Sequence, residues 1–351
     1  MNKRMKVSIL TYHWEDNYGA TMQAYATYRA VETLGHQAEF IDLRLPYAPS
    51  ISQRIVFGLK RRRFNAFRKR FFKNLSLITY RNVDELRNNP PESDCYLVGS
   101  DQTWNPNIAK DLLPAFFLTF GDDKTRRVTY ATSIGPNSWE GSPAISDAEI
   151  RAALGHFHSI LLREDSAVDI CRNQFDHEAE QVIDPVLLFP DYPELTGPLT
   201  PSGEVVAYKL IDDPGFYEIA KTIADRRGLP IRSIGSVRRP KGFRMDYPER
   251  PEDWVRRLAT AEMVLTDSFH GTVFSLLYHR PFVIYVGDPT RTTRIESLLR
   301  QVGLSDRLLT SRNTVEEFYA VADRPIDWGS VDAKLKTLRD DSFAKLKSAL
   351  Q

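Results

Sequence analysis

The sequence predicts an α/β protein of two Rossmann-like, doubly wound domains facing a cleft. Three observations support this. Short apolar, strand-like runs alternate with helical ones along the chain, the pattern of proteins with mostly parallel sheets. A stretch holding five prolines, residues 184–201, divides that alternation into two halves and reads as a hinge. The 351 residues, 42% apolar and 26% charged, are enough for two separate cores.

In the first half, residues 6–11 read as a strand, 20–34 as a helix and 38–42 as the next strand. From 54 to 75 the chain reads as one basic amphipathic helix. Phe57, Phe64, Phe67, Phe71 and Leu75 recur at steps of seven, three, four and four, along one side of a helical repeat. Strands 95–100 and 128–135 follow. Ser146 and Glu149 have capping-box spacing at the start of a helix over 146–156. Residues 159–163 form a strand, a short helix begins at 165, and 181–184 is again a strand. Beyond the prolines, strands 204–211, 230–235, 263–267 and 282–286 alternate with helices 215–227, 254–260, 269–278 and 294–302. The expected domains are residues 1–190 and 191–330, with a C-terminal helix over 331–351 placed to pack back on the first.

The net charge of +1 conceals an uneven distribution. Residues 54–73 hold nine basic and no acidic side chains, which leaves 38 basic against 46 acidic groups elsewhere, a balance of −8. Such a helix suits an anionic membrane surface or another acidic partner, and it equally suits packing of its Phe stripe on the protein's own core. No RNA- or DNA-binding motif accompanies it, so nucleic acid is not an expected partner. No apolar run approaches the roughly 18 to 20 residues of a bilayer-spanning helix. The run at 7–10 is too short for a signal peptide. The expected address is cytoplasmic, with peripheral attachment at the inner face of the plasma membrane left open. Cys95 and Cys171 fit no C-x-x-C pattern and read as reduced, buried small hydrophobes. The seven histidines show no H-x-x-x-H or H-E-x-x-H spacing, so no metal site is expected.

In open α/β sheets, ligands gather at the carboxyl ends of strands. After the first strand come His13, Asn17 and Gly19, where small residues open a helix whose free N–H groups favour anions. Neither G-x-G-x-x-G nor G-K-[ST] is present, so no dinucleotide or P-loop site is indicated. Ser100, Asp101 and Gln102 follow the 95–100 strand and suit sugar hydroxyls beside the ring face of Trp104, although helix capping by Asp101 explains the same residues. Ser133 lies in a weaker junction of this kind. Arg163 ends an apolar strand, a costly placement unless it meets an anion, either a ligand's carboxylate or phosphate or an internal partner in Glu164 or Asp165. At 265–274 a strand delivers Asp267, Ser268 and His270 into a turn, with Gly271 leaving backbone room. A histidine there can donate to an anion or move a proton.

Taken together, Asn17-Tyr18-Gly19-Ala20 with Gln23, the run from Gly99 to Asn105, Arg163-Glu164, Asp184-Pro185 and the run from Thr266 to Phe274 resemble the polysaccharide pyruvyl transferase family over about residues 6–300. The resemblance implies a GT-B-like fold with the acceptor on the first domain and the donor on the second. It also implies phosphoenolpyruvate as co-substrate with no further cofactor, and as acceptor a sugar of a bacterial surface polysaccharide or its lipid-linked repeat unit. The implied product is a cyclic pyruvate ketal, with phosphate released. On this reading His270 is the general acid or phosphate donor, Arg163 the anion clamp, and Asp101 or Glu164 the base. Ser268, Gly271, Thr272, Arg291 and Arg294 are expected at the donor. His13, Asn17, Gly19, Ser100, Gln102, Trp104 and Ser133 are expected at the acceptor. One position departs from the family pattern: many members carry an arginine two residues before the histidine, where this chain has Ser268, so Arg291 and Arg294 are expected to supply the charge. Two other readings stay open: a GT-B-fold glycosyltransferase using a nucleotide sugar, and a non-catalytic sugar- or anion-binding member of a polysaccharide assembly complex.

Overall fold

The computed structural model describes residues 4–44, 51–211, 213–287 and 292–351, without the side chains of 51–56 and 76–77. The chain divides into two compact units. Unit 1 comprises Met1–Ser50, Lys69–Phe189 and Lys336–Gln351, and unit 2 comprises Ile51–Arg68 and Pro190–Leu335.

Unit 1 is built on a parallel sheet of β1 (Lys6–Leu10), β2 (Gln37–Leu43), β3 (Leu75–Tyr80), β4 (Cys95–Val98) and β5 (Arg126–Thr129), in the order β3-β2-β1-β4-β5. A short parallel pair, β6 (Leu161–Leu162) and β7 (Glu180–Gln181), continues from β5 through the bridges Val128–Ser159 and Thr132–Leu162. Val7, Ile9, Leu97 and Val98 are fully buried, as parallel strands covered on both faces must be. The strand order reverses between β1 and β4, and ligands of such sheets bind where it reverses. The helix Tyr18–Thr33 starts beside this point because Asn17 caps it, its side chain accepting from Ala20 N at 3.1 Å. Gln23, fully buried, donates to Thr11 Oγ1 at 3.0 Å and to Ala20 O at 2.9 Å, while Thr11 Oγ1 donates to Ser100 O at 2.8 Å. The motif glutamine is therefore a brace between the helix and the ends of β1 and β4. The Ser146–Glu149 capping box forms as its spacing predicts, at the head of helix Asp147–Leu154.

Unit 2 carries β8 (Val205–Tyr208), β9 (Ile231–Ile234), β10 (Met263–Thr266), β11 (Phe282–Val286) and β12 (Leu308–Thr310), all parallel, in the order β12-β11-β10-β8-β9. Its order reverses between β8 and β10. Both units are doubly wound, with different strand orders and hence different switch points.

Several boundaries differ from the sequence reading. The basic helix is Ile51–Phe71, and Leu75 opens the edge strand β3. Phe64 and Phe67 are core residues at 0% and 1% exposure, whereas Phe57 is 39% exposed, so the middle of the stripe packs inward and its start does not. Residues 51–68 cluster with unit 2, although their position in the sequence suggested the first domain. The proline-rich stretch is structured: Pro185–Leu188 is a 3₁₀ turn with Val186 and Leu187 fully buried, and Pro193–Thr196 is a short helix. The C-terminal helix starts earlier than expected and spans Trp328–Ala349. Within unit 1, Arg339 Nε donates to Leu187 O at 2.7 Å and Ser342 Oγ accepts from Ile183 N at 3.1 Å. Among the described residues, no helix is long and apolar enough to cross a membrane.

Candidate functional site

In unit 1 the polar groups after β4, β6 and β7 converge on Arg163. Its side chain is 2% exposed; Nη1 donates to Asp184 Oδ2 at 3.0 Å and to Ser100 Oγ at 3.2 Å, and Ser100 Oγ donates to the same carboxylate oxygen at 3.1 Å. Nε lies 3.8 Å from Glu164 Oε2, and Nη2 lies 4.0 Å from Asp101 Oδ1. The internal partner is thus chiefly Asp184, 21 residues on, where the sequence pointed to Glu164 or Asp165. A buried guanidinium held this way orders the loops around it.

The two base candidates separate clearly. Glu164 is fully buried, and its Oε1 accepts from Ser133 Oγ at 2.7 Å, Ile134 N at 2.9 Å and Gly135 N at 3.0 Å. Three donors on one oxygen make it the anchor of the 133–135 turn. Asp101 is the more accessible carboxylate, with 20% of its side chain exposed, and its backbone sits at φ +81°. That left-handed conformation costs on the order of 1 kcal/mol for a non-glycine residue. It is held by Thr103 N and Ser133 N donating to Asp101 O at 2.8 and 3.0 Å, and by Gln102 N donating to Asp101 Oδ1 at 2.9 Å. Surrounding bonds thus hold Asp101 in this conformation at the switch point. Beside it stands Tyr12, 5% exposed, whose phenol is pushed well above its usual range by burial and then by the charges of Asp101 and Glu15. Among the described residues Tyr12 Oη has no hydrogen-bond partner. Its position after β1 hinted at this, but an aromatic residue at a strand end is not distinctive by type.

The expected acceptor residues divide. Trp104 is corrected to a core residue: it is 0% exposed, stacks on Phe117 at 4.6 Å between ring centroids, and donates Nε1–H to Phe116 O at 2.8 Å, so no ring face is offered to a sugar. His13, at 1% exposure, stacks on Phe40 at 4.8 Å with Nε2 3.4 Å from Asp42 Oδ1, and is likewise interior. Burial lowers its pKa against the opposing pull of Asp42. Ser100 and Ser133 are fully buried and occupied by Asp184 and Glu164. Gly19 lies buried in the first turn of helix Tyr18–Thr33. Gln102 and Asn17 keep exposed surface, with Gln102 Oε1 accepting from Asn105 Nδ2 at 2.9 Å.

In unit 2 the carboxyl ends of β8 and β10 are joined by charge. Lys209 Nζ, 3% exposed in its side chain, lies 3.2 Å from Asp267 Oδ2 and 3.6 Å from Asp213 Oδ2, and packs over the rings of Phe216 and Tyr285 at 4.9 and 5.3 Å. Asp267 Oδ1 accepts from Leu210 N at 2.8 Å, so this carboxylate ties the two strand ends together at the switch point. The sequence reading missed Lys209, although the signal was the one that singled out Arg163: a lone cation ending an apolar strand, Val205–Tyr208. The following turn is closely packed. Ser268 caps helix Phe269–Leu277 with Oγ accepting from Gly271 N at 3.3 Å, and Thr272 Oγ1 donates to Ser268 O at 3.1 Å. Gly271 is obligatory, since a Cβ there would stand 2.5 Å from Thr266 Oγ1. Ser268, Gly271 and Thr272 thus build the turn that carries His270, which is 6% exposed with the Phe269 ring edge-on at 5.3 Å. Arg294 is half-buried in the first turn of helix Thr293–Val302, and Arg291 lies outside the described residues.

At the end of β9, Glu249 is 3% exposed and Gly235 N donates to its Oε2 at 3.2 Å. Burial pushes its pKa up to about 8. A carboxyl whose folded pKa exceeds the unfolded one stabilises fully below the unfolded value and loses that contribution as pH rises through the folded value. Glu249→Gln keeps an acceptor for Gly235 N and removes the titration. The variant is expected to match the wild type near pH 4.5 and to exceed it by a few kcal/mol at pH 8.5, each pKa unit being worth about 1.4 kcal/mol. Urea midpoints at the two pH values check this; a constant difference would refute it.

Comparison with solved structures places the fold. The chain superposes on a Listeria monocytogenes protein assigned as a UDP-N-acetylglucosamine 2-epimerase with a TM-score of 0.53 at 12% identity, covering 98% of this chain and 94% of that one. A variant of the Thermobaculum terrenum O-GlcNAc transferase gives 0.52 at 12% identity, covering 99% and 67%. Two doubly wound units of this kind make a GT-B-like fold. The chain belongs to the polysaccharide pyruvyl transferase family, whose model matches residues 17–289, and it is a transferase. A search of curated proteins finds no match.

Proposed function

We propose that the protein transfers the pyruvyl group of phosphoenolpyruvate onto two hydroxyls of one sugar in a bacterial surface polysaccharide or its lipid-linked repeat unit. The observation that carries this reading is the family match over residues 17–289, which spans the segments forming both polar clusters. A proton goes to the methylene carbon of phosphoenolpyruvate, and a sugar hydroxyl adds to C2. Phosphate leaves, a second hydroxyl of the same sugar closes the ketal, and the two hydroxyl protons end on the new methyl group and on phosphate. His270 is assigned as general acid or phosphate donor. Asp101 is assigned as base in preference to Glu164, because Glu164 Oε1 is already saturated. Arg163 positions Asp101 and Glu164, and Arg294 with Arg291 supplies charge for the donor. No separate cofactor enters this scheme. The basic face of Ile51–Phe71, with Phe57 and Leu59 exposed, suits peripheral contact with an anionic membrane.

The test is release of phosphate from phosphoenolpyruvate on addition of oligosaccharide acceptors, with the product mass increased by one ketal-linked pyruvate. Turnover with a UDP- or GDP-sugar and none with phosphoenolpyruvate would replace this reading by glycosyl transfer.

A further inference from the structure

Unit 2 has a groove of about 430 Å³ between helix Pro214–Arg226 and the loop after β9. That size falls within the range of ligand clefts. Tyr217 and Phe243 form its apolar floor, their rings edge-to-face at 5.6 Å. Lys221 on the helix and Arg238, Arg239 and Lys241 on the loop line its walls, against the single carboxylate of Glu218. Lys221 is paired with Asp225. Among the described residues, Arg238, Arg239 and Lys241 have no ion-pair partner. The loop holding them is ordered: Ser236 Oγ donates to Arg238 O at 2.7 Å, and Ser233 N and Arg244 N exchange bonds with Arg244 O and Ile231 O at 2.9 and 2.8 Å. Gly242, at φ +84°, brings the backbone so close that a Cβ would lie 3.1 Å from Lys221 Cε.

From these features we infer that the groove, which no residue of the 266–274 turn lines, is a binding site for an acidic saccharide segment. Aromatic floors take the C–H faces of sugar rings, and guanidinium forks take carboxylates. The cations are spread along both walls, whereas a diphosphate is held at one point, by a glycine-rich loop and a helix N-terminus. The assignment rests on the proposed pyruvyl transfer in one respect: each ketal adds a carboxylate to the polymer, so a polymer already modified would be retained by this groove.

Titration calorimetry of the full chain with oligogalacturonate tests the assignment, with maltohexaose, UMP and inorganic phosphate as comparison ligands. Oligogalacturonate is expected to bind, to weaken with added salt, and to lose at least about tenfold in affinity in Arg238→Glu/Arg239→Glu, the loss typical of a removed interfacial charge pair. Maltohexaose is expected not to bind. Arg238→Gln, a milder change on the same exposed loop, should show a smaller loss in the same direction. Equal binding of maltohexaose, or unchanged affinity in both variants, would overturn the proposal. Displacement of oligogalacturonate by UMP or phosphate at lower concentration would reassign the groove to a nucleotide or phosphate. Phosphate release measured in parallel separates the two ideas: oligogalacturonate binding without turnover of phosphoenolpyruvate would remove the enzymatic reading and leave the groove.

Discussion

Replacing His270 by alanine is expected to lower kcat/KM for phosphoenolpyruvate-dependent transfer by at least about 100-fold, the usual contribution of a positioned acid. The imidazole sits on a turn held by other contacts: Ser268 to Gly271 N, Thr272 to Ser268 O, and Asp267 to Lys209 and Leu210 N. Because those contacts do not involve the ring, its removal should leave the turn in place. Thermal unfolding of the variant should shift only by what a small cavity costs, about 1 to 2 kcal/mol. His270→Gln separates the two assigned roles. Glutamine donates a hydrogen bond to phosphate but cannot deliver a proton, so a general acid predicts nearly the alanine rate, and a phosphate donor predicts substantial rescue with KM recovering first. A loss of only a few fold in both variants would make His270 a packing residue beside Phe269.

The placement of His270 at a strand-to-helix turn was legible because the signal is local: strand, small polar turn and helix within ten residues. For the same reason 282–286 was read with the boundaries β11 has, and Ser146 with Glu149 announced their helix. What the sequence hid is what depends on distant neighbours. β3 was invisible because Leu75 continues the four-residue spacing of the preceding phenylalanines, so a strand start looked like one more helical turn. Trp104 lies amid sugar-compatible side chains, yet its ring belongs to a core completed by Phe116 and Phe117 from the next helical segment. Alternation predicts parallel strands but not their order, so neither switch point could be placed. The Lys209–Asp267 contact depends on that order, since it joins strands that are adjacent in the sheet and separated by β9 in sequence.

The Arg163–Asp184 pair carries the largest expected effect on stability. Arg163→Ala would leave Asp184 and Glu164, at 1% and 0% exposure, without the guanidinium that faces both. Stranding buried carboxylates by removing their cation typically costs about 3 to 5 kcal/mol. A chain of this size is held by a net stability of that order or a few times larger, so the variant should unfold at markedly lower urea concentration. Asp184→Asn breaks the pair from the other side: the amide oxygen still accepts from Val186 N, which donates to Asp184 Oδ1 at 3.0 Å, but its NH2 stands where Oδ2 accepted from Arg163 Nη1, so the bond to the guanidinium is lost. Removing both charges together, as Arg163→Met with Asp184→Leu, should recover much of the loss, because it is the unpaired charge and not the missing pair that is costly. An anion clamp makes the opposite prediction, with urea midpoints near wild type for Arg163→Ala, a raised KM for phosphoenolpyruvate and no recovery in the double variant. If the single variant loses less than about 1 kcal/mol, the pair is only a surface-like contact and the clamp returns. If it loses several and the double variant regains them, Arg163 acts on catalysis through the loops it holds, and Asp101, 4.0 Å from its guanidinium, is where that action would be felt.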